Sequence, residues 1–185
     1  MTYQPNQKLI PLHGGYRQLK SYQTTEIIFD LTAEFVRLFV DPKSRTKDQM
    51  VQAARSGKQN IAEGCQASGT SKKTELKLIG VARASLEELL LDYEDFLRQR
   101  SLPLWGKDSP KAQEIRALGY KTDRSYRTYL RFLENPESAA NCAICLIHQA
   151  NFLLDQQLRA LEKQFLKEGG FTEKLYRERK RFRDQ

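Results

Sequence analysis

Along this chain, apolar residues recur three and four positions apart in four long stretches, the period of a helix with one buried face. Ile27, Ile28, Leu31, Phe35, Leu38 and Phe39 predict a first helix from about Ser21, stopped by Asp41-Pro42. Thr46-x-x-Gln49 has the form of a capping box, and the stripe behind it, Met50, Ala53, Ala54, Gly57 and Ile61, is made of small residues. Small side chains let a neighbouring helix come close, which makes this second helix the expected centre of the fold. A third helix is predicted from about Ser71 to Arg100, with Ile79, Ala82, Leu86, Leu89, Leu90, Tyr93, Phe96 and Leu97 inward. Pro103 and Gly106 interrupt the pattern. Ser109-Pro110 reads as an N-cap with Pro at the first helical position, opening a short helix to about Leu118 that Gly119 closes. Another short helix is expected over 123–133. Asn135-Pro136-Glu137 opens the last long one, to about Lys167, with Ala139, Ala143, Leu146, Ala150, Leu153, Leu154, Leu158 and Leu161 inward and Gly169-Gly170 at its end. The remaining residues are expected to form one more short helix.

No stretch alternates with period two for long enough to make a strand. The expected class is all-α: a four-helix bundle over 21–168 with a helical insertion at 101–135 before the last long helix. An irregular lead-in over 1–20 precedes it, and a basic C-terminal extension over 169–185 follows.

The corner between the second and third helices, NIAEGCQASGTSKKTEL, carries two glycines five apart and then two lysines. A phosphate-binding P-loop needs G-x-x-x-x-G-K-[ST] after a buried strand. Position 70 is Thr, the lysines wait until 72 and 73, and a helical pattern precedes the run, so that reading fails. Gly64 suits the left-handed position that ends a helix, and Thr70 or Ser71 suits the cap of the next.

Charge changes the picture more than composition does. The 185 residues carry a net charge of +8, which favours acidic partners such as nucleic acid, although ordinary solubility charge has the same sign. Two clusters concentrate it. Arg116, Lys121, Arg124, Arg127 and Arg131 face one acid, Asp123, with Tyr120, Tyr126 and Tyr129 among them. Lys174, Arg177, Arg179, Lys180, Arg181 and Arg183 face Glu178, with Tyr176 and Phe182 among them. Arginine neutralises phosphate and exposed aromatic rings stack on bases. The competing reading is that the tyrosines pack inward and the charges are merely solvated. Lys72 and Lys73 stand at the predicted start of the third helix, where an anion is favoured.

Other chemistry finds less support. Glu87, Glu88, Asp92, Glu94 and Asp95 form an acidic run, but a di-iron bundle needs Glu-x-x-His on two helices, and the chain has only His13 and His148. Cys142, Cys145 and His148 spread over about 120° of one helix, a set that zinc can use and that also reads as small core residues in an apolar stripe. There is no nucleophile elbow, and Cys65, expected just past a helix end, has no activating neighbour in sequence. No enzyme activity, metal or cofactor is expected. Three cysteines without a paired pattern, no apolar leader and no apolar run near the ~20 residues of a membrane span predict a reduced, cytoplasmic protein.

The segment RSGKQNIAEG, Arg55 to Gly64, resembles the signature of the bacterial four-helix proteins encoded in 23S rRNA intervening sequences, whose relatives include the accessory variability determinant proteins of diversity-generating retroelements. SKKTELKLIGVARASLEEL from Ser71 is similar to the same family's next helix. HGGYRQLKSYQ from His13, the run from Ser44 to Leu78, LIHQANFLLDQQLRALE from Leu146 and GGFTEKLYRERKR resemble a sub-family, the four helix bundle suffix domain proteins, over most of the chain. The 101–135 insertion and the basic tail depart from the short members. The resemblance implies a basic homo-oligomer, pentameric among its relatives, linked to nucleic acid or to a reverse transcriptase. Within the motif, Asn60 and Glu63 are expected to bond across to Arg83, Ser85 or Glu88 on the third helix or across a subunit boundary, with Arg55 and Gly64 completing a structural set. The leading expectation is nucleic-acid binding, RNA or DNA; the alternative is an adaptor that docks an acidic protein.

Overall fold

The computed structural model describes residues 9–184. Part of the expected irregular lead-in, residues 1–8 with Pro5, lies outside the described residues. The protein is all-α: α1 (Lys20–Phe39), α2 (Arg45–Ala67), α3 (Lys72–Gln99), α4 (Pro110–Leu118), α5 (Pro136–Glu168) and α6 (Phe171–Arg183), with 3₁₀ turns at Tyr16–Gln18 and Tyr126–Glu134 and no strand among the described residues.

The four long helices pack in the order α1–α2–α3–α5, and α5 returns to α1. Every inward position predicted for α2 and α3 is buried. On α1 the stripe ends early: Ile27, Ile28, Leu31 and Phe35 are buried, but Phe39 is half-covered and Leu38 is exposed. On α5, burial stops at Leu154, and Leu153, Leu158 and Leu161 are half-covered, because the last turns of this 33-residue helix outrun its neighbours. Phe35, Tyr93 and Phe96 meet edge to face at 4.8 Å, and the buried Tyr93 hydroxyl donates to Thr32 Oγ1 across α3 and α1 at 2.9 Å.

The small residues of α2 serve one contact more than the rest. A Cβ built on Gly57 would lie 2.8 Å from Leu86 Cδ2, so the glycine is what lets α3 approach. Overpacking of this kind costs about 1–3 kcal/mol. α2 is one member of the ring and not its centre; α5 is the helix that also carries α4 and the second 3₁₀ turn.

Three helix starts match their local signals. Ser71 caps α3 by accepting from Thr74 N, Ser109 caps α4, and Asn135 caps α5. Two other signals act differently from expectation. Ser44, not Thr46, caps α2, accepting from Thr46 N at 3.2 Å. Gly64 does not end α2, which continues to Ala67; it sits mid-helix and lets Glu75 O and Leu78 Cβ of α3 approach its missing Cβ position to 3.4 Å. The corner lies at Ser68–Ser71, where the His13 ring packs on Gly69 and Gly14 N, at φ +84, donates to Cys65 O. α3 closes on Ser101, a non-glycine residue at φ +52, with Leu102 N donating to Leu97 O. α5 ends, as expected, on a glycine: Gly169 at φ +73.

The 101–135 insertion packs on the helices. Trp105 N donates to Asn141 Oδ1, Trp105 Nε1 donates to Glu137 Oε1, and Asn141 Nδ2 donates to Pro103 O, so the start of α5 pins the segment. Ala112, Ile115 and Leu118 bury one face of α4. The helix expected at 123–133 is a 3₁₀ stretch. A three-residue period stacks Tyr126, Tyr129 and Phe132 on one face, and the last two are buried against the core.

Candidate functional site

The sequence points to three basic regions. The structure separates them sharply by what each charge already does.

At the start of α3, Lys72 Nζ bonds Glu75 Oε2 at 3.0 Å, and Glu75 is itself buried. That ammonium is neutralised by its own helix, so the anion site expected there reduces to the exposed Lys73. The neighbouring Cys65 lies within α2, not past its end, and burial, reinforced by Glu75, pushes its thiol up to about 11. It is a protonated core thiol at neutral pH.

In the 116–131 cluster, only Lys121 and Arg127 are exposed with no bonding partner among the described residues. Arg131 pairs with Glu114 at 2.6 Å and lies over the Phe132 ring. Arg124 Nη2 donates to Thr24 Oγ1 of α1 at 2.8 Å, and Arg116 Nη2 donates to Lys107 O. Of the interleaved tyrosines, Tyr129 is fully buried, Tyr126 is half-buried, and only Tyr120 is open to solvent. Burial raises the Tyr129 hydroxyl pKa, opposed by the Arg124 charge. Most of this cluster therefore staples the insertion to α1 and α4 and is not free to track a nucleic-acid backbone.

The C-terminal cluster behaves in the opposite way. α6 is a 13-residue helix with no buried residue. Phe171, Lys174, Leu175 and Glu178 are half-covered, at helical spacing on one side. On the other side Tyr176, Arg179, Lys180 and Arg183 fall at i, i+3, i+4 and i+7, all exposed, with Arg177, Arg181 and Phe182 flanking them. Tyr176 and Phe182 are 65% and 74% exposed. The one ion pair on the helix among the described residues, Arg181 to Glu178 at 3.5 Å, joins two solvated groups and holds little.

The motif residues of α2 do not bond as expected. Asn60 Nδ2 donates to Ser56 O and Ser56 Oγ on its own helix, and Ser56 Oγ shares a 2.9 Å hydrogen bond with Ser85 Oγ of α3. Asn60 thus reaches Ser85 through a serine that no sequence signal marks. Arg83 turns to the other side, bonding Glu87 at 2.6 Å and Asp155 of α5 at 3.3 Å. Arg55, Glu63 and Glu88 are exposed and reach no cross-helix partner among the described residues. The three candidate zinc ligands also diverge: Cys142 is buried in the core, Cys145 is half-covered, and His148 is exposed. Burial raises both thiols, Cys142 the more strongly.

One feature has no counterpart in the sequence pattern. A cavity of about 610 Å³ lies between the insertion and the outer side of α5. Leu104, Trp105, Ile144, Phe152 and Leu153 supply apolar wall, and Lys20, Lys107, Arg116 and Arg124 stand around it with a single carboxylate, Glu94. It exists because the insertion folds back on α5 without filling the space beside it, which no periodicity along the chain encodes.

Among the described residues, no helix is long and apolar enough to cross a membrane. Comparison of the chain with family models, with curated proteins and with solved structures gave no match.

Proposed function

We propose that this chain is a non-enzymatic four-helix bundle of the suffix-domain type. In this reading it is a homo-oligomer that binds nucleic acid, RNA or DNA, through its basic surface. The observation that supports the reading is the outer face of α6, where Tyr176, Arg179, Lys180 and Arg183 are exposed together and uncommitted. Lys174, Arg177 and Arg181 extend that charge, and Lys121, Arg127 and Lys73 are further exposed cations with no ion pair among the described residues. Affinity is then mainly electrostatic, with the rings of Tyr176 and Phe182 adding sequence-tolerant stacking on unpaired bases.

Anisotropy of labelled RNA and DNA, single-stranded and duplex, across a salt series tests this. Log affinity is expected to fall linearly with log salt. Reversing Arg179, Lys180 and Arg181 to Glu should lower the slope by about 2–3, near one unit for each phosphate left without its cation. Absence of binding at low salt would overturn the reading. Retention of an acidic protein under the same conditions would then favour the adaptor alternative.

A further inference from the structure

We infer that the cavity between the insertion and α5 binds a small amphiphilic anion, a carboxylate or phosphate head on an apolar body. Its volume of about 610 Å³ falls within the range of small-molecule sites, roughly 300–1,000 Å³. Four cations stand around it against one carboxylate, Glu94. Two of the four are fixed by neutral partners. Arg124 is held by the Thr24 hydroxyl and Arg116 by the Lys107 carbonyl, so both guanidinium groups are positioned while their charge stays uncompensated. Arg83, by contrast, is held by Glu87 and Asp155, and Arg131 by Glu114, so the charge of those two is already matched. An arginine ordered without a counter-charge is prepared for an anion from outside, because its orientation is set before the ligand arrives.

The walls select the rest of the ligand. The Trp105 ring is anchored by its bond to Glu137 and covered by Lys111 Nζ at 4.8 Å, so it is a rigid wall. Leu104 and Phe152 stand 54% and 62% exposed beside it, large apolar groups that gain by being covered. An inorganic anion leaves those walls wet, and a neutral apolar molecule leaves the arginines unpaired. An anion carrying an apolar body satisfies both. α6 contributes nothing to the cavity, so this site stands apart from the proposed nucleic-acid surface.

The test uses the full chain and the anionic dye 8-anilinonaphthalene-1-sulfonate. Saturable binding of one equivalent with enhanced emission is expected. Leu104→Glu and Phe152→Glu, both at exposed positions, should each weaken it at least tenfold with helix content unchanged; Leu104→Gln should weaken it less. Displacement by dodecanoate or by dodecyl phosphate supports the site and identifies the head group. Dye binding that is absent, or untouched by both glutamate variants, overturns it, and so does displacement by neutral dodecanol in preference to both anions. The same glutamate variants should leave nucleic-acid anisotropy unchanged, and reversal of the α6 arginines should leave dye binding unchanged, so each idea can fail alone.

Discussion

The 116–131 cluster and the 174–183 stretch of α6 are nearly alike in sequence: arginines and lysines with aromatic residues set among them and one acid apiece. In the fold they do different jobs. The first turns its tyrosines inward and commits Arg116, Arg124 and Arg131 to a carbonyl, a hydroxyl and a carboxylate. The second buries nothing. Composition gives both segments the means to bind an anion. What separates them is whether the rest of the chain offers a hydrophobic surface for the aromatic rings. Tyr129 and Phe132 find one between α1 and α5, and their arginines follow them down. Tyr176 and Phe182 find none, and their arginines stay in solvent.

The rings offer the most forceful test of that contrast. Tyr129→Ala should cost about 3–5 kcal/mol in denaturant unfolding, as for a large buried aromatic, whereas Tyr176→Ala should change stability by less than about 0.5 kcal/mol. Equal effects would mean that α6 is packed after all. The arginines give the next effect. Arg124→Ala removes a partly buried bond to α1 and should cost about 1 kcal/mol while leaving the salt slope of nucleic-acid binding unchanged; the α6 triple reversal should do the reverse. Alkaline pH separates the two regions again. Burial holds the Cys65, Cys142 and Tyr129 groups protonated, so their folded pKa values lie above their unfolded ones. The stability they contribute is complete below about pH 9 and is lost as pH rises through the folded values, near 11 for Cys65. Global unfolding should therefore become easier from about pH 9 upward, and Cys65→Ala should blunt the decline. The smallest expected effect is a gain. Ser101→Gly, at the φ of +52 that leads into the insertion, should stabilise by about 0.5–1 kcal/mol in the same denaturant measurement.

The helical class, the positions of all six helices and the caps at Ser71, Ser109 and Asn135 are legible in the sequence because they are local. They depend on spacing within a few turns and on one side chain reaching a backbone N–H. Expectation and structure part wherever a partner far along the chain has the deciding vote. Gly64 has the signature of a helix end, yet α3 packs against its bare Cα and the helix runs on. Residues 126–134 have a helical pattern, yet burying Tyr129 and Phe132 on one face tightens them to 3₁₀. Asn60 is expected to bond Ser85 directly, but it bonds Ser56, which in turn bonds Ser85, and a serine on a helix surface carries no signal of its own.

Hydrophobic periodicity and capping act within one element, so the chain's helical character, the starts of its helices and their apolar faces were already written in the order of its residues. Which charged groups are fixed in place and which stay loose in solvent was settled later, by tertiary packing. A guanidinium is held in place when folding brings an acceptor to it, as Thr24 comes to Arg124 from a hundred residues away. The cavity beside α5 arises in the same way, from how two segments distant in sequence come to lie against each other.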